Sequence, residues 1–110
     1  MKALVLEAID SPPVCREADK PVPGPGEALV RVAAGALNHR DIYISQGQYP
    51  GIVTPVILGS DGCGVVEEVT GDASDWVGKE VIINPSLNWG DDPRIQGPEF
   101  SILGLPRSGT

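Results

Sequence analysis

Long apolar runs, an excess of basic charge, cysteines at metal or redox spacing, internal repeats and low-complexity tracts are all missing from this 110-residue chain. Although 41% of the residues are hydrophobic, no stretch approaches the roughly 20 consecutive apolar positions that a membrane-crossing helix requires. Eight Lys and Arg stand against fifteen Asp and Glu, for a net charge of −7. Proteins that neutralise phosphates carry basic stripes. Residues 61–80 instead hold Asp61, Glu67, Glu68, Asp72, Asp75 and Glu80 against Lys79 alone, which argues against a nucleic-acid partner. Cys15 and Cys63 are the only cysteines, and neither lies in a C-x-x-C. No basic segment followed by an apolar one trails Met1, so secretion is not signalled. The two thiols therefore read as reduced and partly buried, in a cytoplasmic setting.

Glycine (14) and proline (11) are plentiful, which points to many turns joining short strands. A chain of this length forms one domain, burying roughly two thirds of the surface that its unfolded form exposes. Lys2–Glu7 and the alternating Val14–Ala18 read as strands, separated by a turn at Ser11-Pro12-Pro13. The alternate prolines at 21, 23 and 25 mark a loop, because each lacks a ladder donor. A strand follows over Ala28–Ala34. Asn38 can cap a short helix reaching Gln46, which Gly47 stops. Gly62–Val69 and Glu80–Pro85 read as further strands, with Trp76 in the intervening turn as a cover for the core. Ser86–Gly104 shows no period and is expected to be a long loop. Pattern alone thus points to an all-β barrel or sandwich.

Three stretches carry more: Arg31-Val32-Ala33-Ala34-Gly35-Ala36-Leu37-Asn38-His39-Arg40-Asp41, Gly47-Gln48-Tyr49-Pro50, and Pro55-Val56-Ile57-Leu58-Gly59-Ser60-Asp61-Gly62-Cys63-Gly64-Val65-Val66. Together with Met1–Val5, Pro23–Glu27 and Gly78–Ile82, in that order, they resemble the medium-chain dehydrogenase/reductase superfamily. The nearest branches are the quinone oxidoreductase-like and zinc-type alcohol dehydrogenase-like ones. The resemblance implies a GroES-like catalytic domain over residues 1–110: mainly β, a partly open barrel with one or two short helices. In the family a Rossmann domain binding NAD or NADP follows, and the active site is the cleft between the two domains. No G-x-G-x-x-G occurs here, since Gly62-Cys63-Gly64 runs on into Val65 and Val66. The chain therefore reads as the N-terminal portion of such an enzyme, truncated before the Rossmann domain. On this reading it is inactive alone and holds no cofactor. An unpaired sheet edge would then favour a homo-oligomer, or disorder beyond about Asn84.

The resemblance also bears on metal. The zinc branch uses a Cys, then a His-Glu pair, then a later ligand; the matching positions here are Asn38 and Ser60-Asp61. An amide and a hydroxyl are poor ligands for zinc. His39, the sole imidazole, reads as structural, so no metal ligand is assigned. The parent enzyme is then expected to transfer hydride between the nicotinamide and a carbonyl, enone or quinone-like small molecule, with hydrogen-bond donors steadying the substrate oxygen. The resemblance nominates Asn38 and Tyr49 as catalytic, and Asn38, Asp41 and Tyr43 as cofactor-binding. Each also has a purely structural reading: Asn38 and Asp41 can cap the helix, and Tyr43 can fill core. Tyr49, in a turn before Pro50, is expected to face the cleft. Gly59, Gly62 and Gly64 are expected to permit turns and close backbone approach, Cys63 to pack, and the acidic run to form a solvated strand face. Two alternatives remain: a free-standing GroES-like binding or co-chaperonin-like module, and a zinc alcohol dehydrogenase with altered ligands.

Overall fold

Alternation and turn chemistry place the first sheet. The computed structural model describes residues 1–110. Strand β1 (Lys2–Leu6) lies between β2 (Val14–Glu17) and β4 (Val56–Ile57), antiparallel to each. Val5 and Leu6 point to opposite faces of this central strand and both are buried, so the sheet is covered on each face at that end. A second sheet is formed by β3 (Ala28–Ala36), β5 (Asp61–Val69) and β6 (Glu80–Ile82), with β5 in the middle. The β3–β5 ladder shifts register between Leu29 and Val30 and again between Val32 and Ala34, which bends the pair. Such bending is what curls a short sheet toward a partly open barrel.

Between β3 and β4 runs helix α1 (His39–Ser45). Seven residues are too few to hold a helix in water unaided. It is fixed by Asn38 as N-cap, by a capping box with Asp41, and by Ile44, which is fully buried. Gly47, at φ 72°, turns the chain away after it. Only 13 of 110 residues are buried, so the core is thin. It consists of Leu6, Ile44, Val56, Leu58 and Leu105, with Tyr49 and Ile52 packed against it.

Leu105 belongs to a stretch that the sequence leaves without pattern. Ser86–Leu87 (β7) pairs with Ser101–Ile102 (β8), and Leu103 N–H donates to the Pro85 carbonyl. Two-residue strands cannot display a period, so the expectation of a structureless loop misses them. Disorder beyond Asn84 is likewise not what is found. The tail runs back over the first sheet, with Gly109 N–H on the Ile57 carbonyl and Thr110 N–H on Gly59. Two smaller expectations also change. Trp76, in a single 3-10 turn (Ser74–Trp76), is half exposed and lies along the rim of an open groove with Val30, Val66, Val81 and Ile83. Cys15 is exposed on β2, and Cys63 alone is partly buried.

The start of β3 is tied down by polar contacts. Glu27 Oε2 accepts from Gly24 N–H at 2.8 Å, Glu27 Oε1 meets Arg107 Nη2 at 2.7 Å, and the Thr70 hydroxyl donates to the Gly24 carbonyl. The Gly24 amide, and then the Arg107 hydrogen bond and charge, hold the Glu27 carboxyl below the ordinary glutamate range. A group whose folded value is depressed contributes stability above its unfolded value, and loses it as pH falls through the folded one. Urea unfolding should therefore show stability declining as pH drops below the ordinary glutamate range. Glu27→Gln should flatten that decline without abolishing it, because Glu67, held down by Lys20, and Asp92, held down by Arg94, remain. An unaltered slope in the variant would contradict the assignment.

Candidate functional site

The first turn of α1 and the three residues entering β5 meet one to one. Asn38 Nδ2 donates to Asp61 Oδ2 at 3.2 Å. Arg40 Nη1 donates to Ser60 Oγ at 3.0 Å. Asp41 Oδ1 accepts from Gly59 N–H at 3.1 Å, while its Oδ2 accepts from Asn38 N–H at 2.9 Å. The helix cap is thus sewn to residues 59–61. Gly59 makes the crossing possible: its φ is +105°, and a Cβ there would meet the Thr110 hydroxyl at 2.7 Å. Asp61, expected on a solvated face with the rest of the acidic run, is instead half-buried and turned to Asn38. Farther along β5 the solvated reading holds, with Glu67 paired to Lys20 and Arg31 at the surface.

Arg40 carries the largest set of contacts. Besides Ser60, it donates from Nη1 to the Leu103 carbonyl at 3.0 Å and from Nη2 to the Leu105 carbonyl at 3.1 Å. Its guanidinium carbon stands 4.7 Å from the Tyr49 ring centroid. None of the ion pairs involves Arg40, and its Nε is buried without a partner. An orphaned buried donor costs about 1–3 kcal/mol, which the three charge-assisted bonds and the stacked ring offset. Sequence reasoning passed over this residue, although a signal was present. No acid lies three or four residues from Arg40 on the helix, so its charge has to be satisfied from elsewhere in the fold.

The nominated residues separate into two groups. Asn38 is exposed; its Oδ1 accepts from Arg40 N–H and one of its amide protons goes to Asp61. One Nδ2 proton therefore remains for another acceptor. Tyr43 is about half exposed, with its ring centroid 5.7 Å from that of His39 on the outer side of α1. The other two turn inward. Asp41 is 4% exposed and each of its oxygens already accepts a backbone amide. Tyr49 is partly buried, with its ring packed against the core and beneath Arg40, and the rest of it stays open to solvent.

Asn38 and Ser60 offer an amide and a hydroxyl, which are poor zinc ligands, beside the Asp61 carboxylate. No three His, Cys, Asp or Glu side chains come close enough together to hold a metal ion. Of the positions that match the zinc branch's ligands, Asn38 and Asp61 are bonded to each other, and Ser60 is engaged by Arg40 and by the Leu103 carbonyl at 2.8 Å.

Residues 24–105 match the alcohol dehydrogenase GroES-like domain. The chain belongs to this family. A zinc-type alcohol dehydrogenase-like protein of Leptosphaeria maculans is 43% identical over 93 residues, covering 77% of this chain and 25% of the relative. An acryloyl-coenzyme A reductase of Sulfurisphaera tokodaii is 41% identical over 69 residues, or 63% of this chain and 21% of that protein. The solved structure of an NAD-dependent alcohol dehydrogenase matches with a TM-score of 0.87 at 37% identity, over 100% of this chain and 35% of that one. A dehydrogenase from Sinorhizobium meliloti 1021, solved bound to NADP and named as a candidate zinc-binding enzyme, matches at 0.85 and 28% identity. It covers 99% of this chain and 33% of its own. The chain therefore spans between 21% and 35% of the length of these relatives. No helix in it is long and apolar enough to cross a membrane.

Proposed function

We propose that this GroES-like domain presents the substrate-side donor of a nicotinamide-dependent oxidoreductase that acts on a carbonyl, enone or quinone-like oxygen without catalytic zinc. One observation carries the reading: the Asn38–Asp61 pair, which stands at two positions that match the zinc branch's ligands. Asp61 and the helix cap fix the Asn38 amide and leave one N–H to donate to an oxygen that gains negative charge. When bound, NADH or NADPH would supply the hydride. Tyr43, with its phenol on the exposed side of α1, suits a cofactor hydroxyl. Asp41 works through the cap rather than by touching cofactor, and Tyr49 serves as the wall beneath Arg40. The relative named as an acryloyl-coenzyme A reductase favours a conjugated acceptor.

The test is NAD(P)H oxidation by the natural-length protein across a panel of aldehydes, enones and quinones, with metal content measured on the same sample. The expected result is turnover that survives chelation, with zinc well below one per chain. Asn38→Ala should lower kcat about 100-fold, the usual effect of losing one oxyanion donor. Stoichiometric zinc whose removal abolishes activity would overturn the zinc-free mechanism. Absence of turnover with every acceptor would overturn the whole reading.

A further inference from the structure

Asp61 can orient Asn38 only if the backbone at 60–61 is itself held, and glycine flanks that pair of residues at 59 and 62. Glycine confers no stiffness of its own. The main-chain anchors here are Asp41 on Gly59 N–H, Thr110 N–H on the Gly59 carbonyl, Thr110 Oγ1 on the Asp61 carbonyl at 3.3 Å, and Ile83 N–H on the Gly62 carbonyl at 2.8 Å. Ser60 has one side-chain partner, Arg40. The same guanidinium gathers the Leu103 and Leu105 carbonyls, and the Ser60 hydroxyl donates to Leu103 as well. Arg40 therefore closes a triangle between the helix that Asn38 caps, the entry to β5 that carries Asp61, and the returning tail.

Substituting for it would be difficult. Lysine offers a point charge and cannot span three acceptors in a plane as a guanidinium does. With no carboxylate paired to it, Arg40 spends all its bonds on neutral groups. The carbonyls and the hydroxyl lie on separate segments, so each bond constrains one segment against another. A charge-balancing surface pair would constrain neither.

We propose that Arg40 is a positioning residue, which sets the Asp61 carboxylate against the Asn38 amide by locking Ser60 and residues 103–105 to the first turn of α1. Its catalytic consequence rests on the hydride-transfer reading above; its effect on the amide does not. The experiment uses the natural-length protein labelled with 15N-asparagine, and follows the Asn38 side-chain amide by NMR. Asp61→Ala marks where that signal moves when the bond is lost. Arg40→Met is expected to carry the signal to the same place, and Ser60→Ala most of the way.

Ser60→Ala also keeps the outcome decisive if Arg40→Met does not fold, since it leaves the Arg40 bonds to Leu103 and Leu105 intact. A residue that merely buttressed the tail would lower stability without moving the Asn38 amide. An unmoved amide in folded Arg40→Met, or in Ser60→Ala where the former is unfolded, overturns the proposal. In the turnover assay, Arg40→Met and Ser60→Ala should lower kcat by about tenfold or more, as misplacement of a reacting group does, with the cofactor KM little changed. If the native protein turns over no substrate, the hydride-transfer reading falls and the amide result still decides the role of Arg40.

Discussion

Replacing Asp41 with alanine should lower the unfolding free energy by about 4 kcal/mol, since it strips two backbone amides of a charged acceptor. One of these, Gly59 N–H, lies in a buried bond; the other, Asn38 N–H, begins the helix. Asp41→Asn separates the two contributions. A carboxamide offers one oxygen to two donors and turns an NH2 toward the second. About half the loss, near 2 kcal/mol, is therefore expected to remain. Urea unfolding of the two variants beside the native protein measures this, and an asparagine variant as stable as the native form would show that one of the bonds carries no weight. The helix has only seven residues and one fully buried side chain, Ile44, so the cap is a large share of what holds it.

Gly64→Ala is the second large effect, through space rather than polarity. A Cβ at Gly64 would run into the carbonyl of Arg31 on β3, at the place where the β3–β5 register shifts after Val32. The obstruction is main chain within a ladder, so relief requires separating the strands. The expected cost is about 3 kcal/mol or more, at the upper end for overpacking. Gly78→Ala is the control. Gly78 has φ +84° but nothing within 4 Å of a Cβ, so it should lose only the left-handed penalty of about 1–2 kcal/mol. Thermal or urea unfolding ranks the two; a Gly64→Ala protein no less stable than Gly78→Ala would refute the close approach.

Much of the fold is legible residue by residue. Strands β1, β2, β3 and β5 and helix α1 fall within about two residues of where alternation and capping put them, because these signals are local. Strand β6 is shorter than read: it ends at Ile82, where the pairing with Cys63 ends and a run toward Pro85 continues as loop. The β7–β8 pair and Leu105 were hidden. A two-residue strand has no period, and a lone leucine between Gly104 and Pro106 looks like loop until Leu6, Ile44 and Leu58 close over it. In the site, Asn38 reads as a cap from its place before α1, and the structure confirms the capping. The burial of Asp41 was not legible, because exposure depends on what packs above a residue.

The residues alone determined a mainly β domain with one capped helix, and their ordered motifs carried the resemblance to the family that the chain belongs to. The first follows from residue type and short-range spacing, the second from the order of the motifs along the chain. Only the tertiary structure decided that Asp61 faces Asn38 across 23 residues of chain, and that Arg40 reaches Ser60 across 20. The same holds for the reach of Arg40 to Leu103 across 63 residues. Such meetings depend on the bulged register of β3 against β5 and on the path of the tail over β4. Both are set by packing of segments that carry no local record of one another.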